Sequence, residues 1–217
     1  MNIPTHIGKS ASEILETPFF DSASYLFRGM AWLDYHKRKN QFSAIIYACA
    51  EGRHGIEYLL FEELVISTGA NLSIEDYKKC VNERNRFKKA IAQLSPDYER
   101  LQDFTKILAS LETSIPQLIY WDHSALMKAW GTLSHYLHWF GARNLTSESA
   151  IWVESAQTEI SQTLEPIWMK ITSGRSGLMH PTNMNPVVRK IWERFRSGEI
   201  DNAAAKFQLE YLKPLAI

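Results

Sequence analysis

Apolar residues return every three or four positions over most of this chain, and no useful run alternates apolar and polar residues with a strand's period of two. That single regularity leaves helices as the elements available to build a core. From about Pro18 to His36, the residues Phe19, Ala23, Leu26, Met30 and Leu33 form one stripe. A second stripe runs Phe42, Ile45, Cys49, Ile56, Leu59 and Leu60, with Asn40 expected to cap its start and Gly69 its end. The same helix carries Ala44, Ala48, Gly52 and Gly55, small residues that allow a neighbouring helix to approach closely.

Ser73 and Asp76 form a capping box that opens a third helix, continuing to about Leu94. "SPDYE" starts a fourth from 96 to about 112, and "SIPQ" a fifth from about 116 to 140. Thr146 opens a sixth, with Val153, Ala156, Ile160, Leu164, Ile167 and Ile171 on one face and Gly174 beyond its end. Asn185 and Pro186 start a seventh that Gly198 closes, and Asp201 caps a last one through Leu212. These patterns are read as free of internal proline. The expected fold is all-α, a bundle of about seven or eight helices in one domain spanning 1–217. The break after Ala142 offers another division, into an N-terminal helical extension, 1–141, and a C-terminal part, 142–217.

Composition narrows the function classes. Lysine plus arginine equals aspartate plus glutamate, so a polyanion must be held by a local patch and not by the net charge. Cys49 and Cys80 form no Cys-x-x-Cys and no disulfide framework, which fits a reduced, cytoplasmic protein. The longest uncharged, largely apolar run, Ala129 to Ala142, is too short to span a bilayer. No nucleophile elbow, glycine-rich phosphate loop or dinucleotide fingerprint is present, and no cofactor is expected.

Metal chemistry has two footholds, both incomplete. Glu51 and His54 form a Glu-x-x-His pair with Glu57 a turn further on, but a di-metal bundle needs that pair twice, and no other histidine has a glutamate three residues before it. His135 and His138 lie one turn apart on an aromatic helix without an identified third ligand. No metal is expected. A pocket lined by Trp130, His138 and Trp139 is the small-molecule alternative.

Cations concentrate in two runs: Lys78, Lys79, Arg84, Arg86, Lys88 and Lys89, and the "RKIWERFR" stretch with Arg189, Lys190, Arg194 and Arg196. The second belongs to the helix directly after "GRSGLMHPTN", which holds Arg175 and His180 between glycines and a proline. Five positions on a continuous helix give about 140° of rotation and would point the two side chains apart. Gly174 and Gly177 let the backbone leave the helix, and Pro181 disfavours helix at His180, so both groups can face one cleft.

"RSGLMH" resembles the Arg-x(4–6)-His signature of the HEPN superfamily, helical-bundle proteins of toxin–antitoxin, phage-defence and RNA-processing systems. The resemblance implies a homodimer whose paired motifs form a metal-independent RNA-cleaving site, with an antitoxin or other protein as a partner. Arg175 and His180 would be catalytic, with Ser176, Asn183, Arg189 and Lys190 contacting substrate. The position after the arginine, often asparagine in the family, here holds Ser176. The competing reading is a non-catalytic helical interaction or ligand-binding module in which the turn merely joins two helices.

Overall fold

The computed structural model describes residues 21–67, 73–75, 78, 97–111, 118–138, 150–176 and 181–212. Among them are seven α-helices: α1 (Ser22–Lys39), α2 (Phe42–Ser67), α3 (Tyr98–Leu111), α4 (His123–His138), α5 (Ala150–Thr172), α6 (Pro186–Ser197) and α7 (Asn202–Leu212). A 3-10 turn spans Pro181–Asn183, and the only β-type pairing among the described residues is one isolated bridge. The expected all-α class is therefore observed. Helix 73–94 lies outside the described residues apart from 73–75 and 78. The chain forms two compact units: residues 18–62 with 122–174, and residues 1–17, 63–121 and 175–217.

In the first of these, α2 is the central helix. Its buried side is a line of small and branched residues: Ala44, Ile45, Ala48, Cys49, Gly52, Gly55, Ile56, Leu59 and Leu60. The small ones set the spacing. A methyl group on Gly29 of α1 would lie 3.2 Å from the Gly52 nitrogen and 3.3 Å from the Ala48 carbonyl oxygen. One on Gly55 would lie 2.6 Å from Leu26 Cγ. So α1 and α2 meet nearly backbone to backbone, as the small residues of α2 predict. The buried line of α1 is Ser22, Leu26, Gly29, Leu33 and His36, which puts Gly29 where Met30 was expected. α5 buries Ala156, Ile160, Leu164 and Ile167, four of the six residues of its expected face, and packs against α1 and α4.

Two boundaries and one helix interior differ from expectation. Asn40 does not open α2; it closes α1, in the left-handed region at φ 50°, its N–H donating to the His36 carbonyl. Asparagine tolerates that conformation, and the His36 ring locks the corner by donating from Nδ1 to the Gln41 carbonyl at 2.9 Å. Residues 118–122 are not helical, and Asp122 caps α4 by accepting from the Ser124 and Ala125 N–H groups. Pro166 sits inside α5, against the expectation of proline-free helices. A mid-helix proline costs about 3 kcal/mol. It survives on the exposed side, while the opposite face buries Ile160, Leu164 and Ile167.

The second unit is built on α3, α6 and α7. Leu101, Phe104 and Ile107 of α3 meet Ile191, Trp192 and Phe195 of α6 and Ala205 and Leu209 of α7, with Met184 at one end. Phe104 lies 5.4 Å from the Trp192 ring and 5.6 Å from the Phe195 ring, within the range of favourable aromatic pairs. Asn185 caps α6, Gly198 ends it at φ 81°, and Asp201 accepts from the Ala204 N–H at the start of α7, as the sequence indicates. Arg100 reaches the carbonyls of Phe195 and Arg196 and satisfies the last turn of α6. The buried Glu63 carboxylate accepts a hydrogen bond from the Tyr98 hydroxyl, and burial together with that carboxylate pushes the Tyr98 phenol up.

Candidate functional site

The chain leaves helix before Arg175. α5 ends at Thr172, Gly174 adopts φ 65°, and Arg175 and Ser176 are non-helical. Glycine takes that dihedral with no Cβ penalty, so the break is written at Gly174. The Arg175 carbonyl accepts the Ile119 N–H at 2.8 Å, and Ser176 pairs with Ile119 in the isolated parallel bridge. The arginine is exposed on a backbone that is pinned across the chain.

His180 and residues 177–179 lie outside the described residues, as does the side chain of Asn183. The segment just beyond them is tied down by α6. Arg189 Nε donates to the Pro181 carbonyl at 3.1 Å and Nη2 to the Thr182 carbonyl at 2.9 Å. The Met184 N–H donates to the Pro181 carbonyl, and Asn185 Oδ1 accepts from Val187. Arg189 therefore clamps the 3-10 turn that follows His180. Lys190 is exposed.

The remaining cations of α6 are engaged with protein groups. Arg194 pairs with Glu199 at 2.7 Å and donates to Gln208, and Arg196 lies 3.5 Å from Asp97. Exposed ion pairs of this kind contribute only about 0–1 kcal/mol, so an anion could still recruit them. Of the other basic run only Lys78 is described, and it is exposed.

Sequence reading missed the segment that pins Arg175. "LIYW", residues 118–121, is a short apolar, aromatic run just before the Asp122 cap, a pattern that suits an extended segment as well as a helix. Beside Ile119, the Tyr120 hydroxyl is buried and its phenol is pushed up to about 12 by that burial and by Asp103. Lys106 Nζ lies 5.2 Å from the Tyr120 ring centroid.

The weighed metal residues serve structure instead. Arg28 pairs with Glu51 at 3.0 Å, His54 packs edge-on to Tyr25, and Glu57 accepts from Arg53 and from the Trp130 indole N–H. The Arg53 guanidinium stacks 4.8 Å from the Trp130 ring, which places the indole in a polar contact. His135 is exposed beside Tyr136, and the side chains of His138 and Trp139 are outside the described residues. Among the described residues, no three His, Cys, Asp or Glu side chains gather as a metal site, and no helix is long and apolar enough to cross a membrane. Compared with protein-family models, curated proteins and solved structures, the chain finds no match.

Proposed function

We propose that this chain is a HEPN-like, metal-independent ribonuclease of toxin or phage-defence type, acting in the cytoplasm as a homodimer. The observation that supports the reading is the bracketing of the motif. Arg175 is exposed on a backbone held by Ile119, and the turn directly after His180 is clamped by Arg189. Arg175 and the turn that follows His180 are thus each held by hydrogen bonds from another element, which suits a catalytic pair that must hold its spacing.

In the reaction His180 withdraws the proton from an RNA 2′-hydroxyl, whose oxygen attacks the adjacent phosphorus. The bond from phosphorus to the 5′-oxygen breaks, and that oxygen takes up a proton. Arg175 offers its guanidinium fork to the phosphate oxygens as negative charge collects on them. Ser176, Asn183 and Lys190 are polar groups close in sequence to the pair and suit substrate contacts, while Arg189 acts chiefly by positioning the turn. The products are a 2′,3′-cyclic phosphate and a 5′-hydroxyl.

The test is RNA cleavage by purified protein in excess EDTA. Arg175→Ala and His180→Ala should each slow cleavage about a hundredfold or more, with helical content unchanged. Expression of the wild type should slow growth and His180→Ala should relieve it. Undiminished cleavage in both variants would refute the assignment.

A further inference from the structure

The last turns of α1, "WLDYHKRK", turn Leu33 and His36 inward and leave Trp32, Tyr35 and Lys39 at spacings of three and four on the other side. Tyr47 of α2 completes the group. The Trp32 ring lies 5.0 Å from that of Tyr47 and 6.0 Å from that of Tyr35, to which it is nearly perpendicular. Tyr35 is 41% exposed and Tyr47 51%, so this aromatic corner shows ring surface to solvent instead of filling the core. The corner is rigid, because the His36–Gln41 bond and the left-handed Asn40 fix the link between the two helices.

Cations surround these rings. Arg38 and Lys39 follow Tyr35 by three and four positions, with Lys37 beside them, and all three are exposed. The nearby carboxylates are Asp34, 2.6 Å from Arg38, and Glu165, 3.1 Å from Lys37, both in exposed pairs that exchange partners readily. α2 begins after a link of only two residues, so the positive end of its backbone dipole lies near the same corner.

Interfaces with another folded protein are depleted in lysine at their aromatic centre. Exposed rings interleaved with lysine and arginine instead match the surfaces that hold single strands, where bases stack on rings and phosphates meet cations. We propose that Trp32, Tyr35 and Tyr47, together with Arg38 and Lys39, form a binding surface for single-stranded RNA. The choice of RNA over DNA rests on the ribonuclease reading; the stacking surface itself does not. Recognition here is tolerant of sequence, because each base offers a π-face.

The experiment uses the full chain carrying His180→Ala and a fluorescein-labelled oligouridylate of roughly 12 nucleotides, a length within the span of one such surface. Fluorescence anisotropy should show binding that weakens about tenfold or more with Tyr35→Ala and with Tyr47→Ala. Tyr47→Phe, which keeps the ring, should bind as the parent does. Lys39→Gln should lower the slope of log affinity against log salt by about 0.7. No binding, or binding indifferent to loss of either ring, would overturn the proposal. So would a change of oligomeric state on ring removal with RNA affinity intact, which would make the corner a self-association surface. Ring-dependent binding by a chain that cleaves no RNA would uphold this surface and reject the ribonuclease reading. Cleavage with ring-indifferent binding would do the reverse.

Discussion

Placing the same methyl group at two glycines should move stability in opposite directions. Gly55 and Gly131 both lie within helices, where alanine is favoured over glycine by about 1 kcal/mol. At Gly131, exposed on α4, an added Cβ meets nothing within 4 Å, so Gly131→Ala should stabilise by about 0.5–1 kcal/mol. At Gly55 the methyl would sit 2.6 Å from Leu26 Cγ and 3.1 Å from the Leu26 backbone nitrogen. Leu26 is fully buried and its backbone belongs to α1, so relief requires the two helices to part. Overpacking of this kind costs about 1–3 kcal/mol, beyond what helix propensity returns. Gly55→Ala should therefore lose about 1–2 kcal/mol net, and the two variants should differ by roughly 1.5–3 kcal/mol. Urea denaturation followed by circular dichroism reads the difference directly as separated midpoints at a common slope. If Gly55→Ala is as stable as Gly131→Ala, α1 and α2 are not held at a distance set by glycine, and the packing account of this unit fails.

Other expectations follow from single contacts. Arg189→Lys keeps the charge but cannot bond the Pro181 and Thr182 carbonyls through a planar fork, so it should impair RNA cleavage with little change in the unfolding midpoint; full activity would dismiss the clamp. Tyr98→Phe removes a donor to buried Glu63 and should lower stability by about 1–3 kcal/mol in urea melts. Burial raises the Glu62 carboxyl above its usual value, an effect greater than the opposing bonds from Ser22. The folded chain then holds that proton more tightly than the unfolded one, so the contribution to stability is fully present below about 4.5 and lost as pH rises through the elevated folded value. Relative to Glu62→Gln, the wild type should gain stability on moving from pH 7 to pH 5, measured as urea midpoints. Cys49, pushed up to about 12 mainly by burial, should resist a disulfide reagent at pH 8 in a Cys80→Ser chain until denaturant is added.

What the sequence discloses depends on whether one element or two decide the outcome. The α5 face was legible because Ala156, Ile160, Leu164 and Ile167 repeat within one helix, and the Asn185, Gly198 and Asp201 boundaries because capping is local. Asn40 was not, since asparagine serves equally at the start of a helix and in a left-handed exit. The inward-turned His36 ring, bonded to Gln41, selects the exit. Pro166 stands in plain view in the sequence, and the periodic apolar face around it outweighs its local penalty. The kink at Gly174 was legible from composition, but Ile119 as the partner of Arg175 was not, because backbone pairing between distant segments leaves no residue-type signal.

The same distinction changes what the basic stretch of α6 means. Read as a string, Arg189, Lys190, Arg194 and Arg196 suggest a field drawing phosphate toward the turn. In the fold Arg189 holds two carbonyls, Arg194 a carboxylate and an amide, and Arg196 an aspartate. A guanidinium already forked onto carbonyls in a structured turn yields little to a ligand, because releasing it would loosen the turn itself. On the ribonuclease reading, Arg189 therefore shapes the turn, and phosphate contact from α6 falls to the exposed Lys190 and to the arginines whose exposed ion pairs an anion can displace. A clamp and a phosphate ligand also differ in salt response: substituting a residue that contacts phosphate flattens the dependence of RNA affinity on salt, whereas substituting one that only shapes the backbone leaves the slope unchanged. Arg189→Gln should accordingly leave the salt slope of the His180→Ala chain where it was, while Lys190→Gln should reduce it.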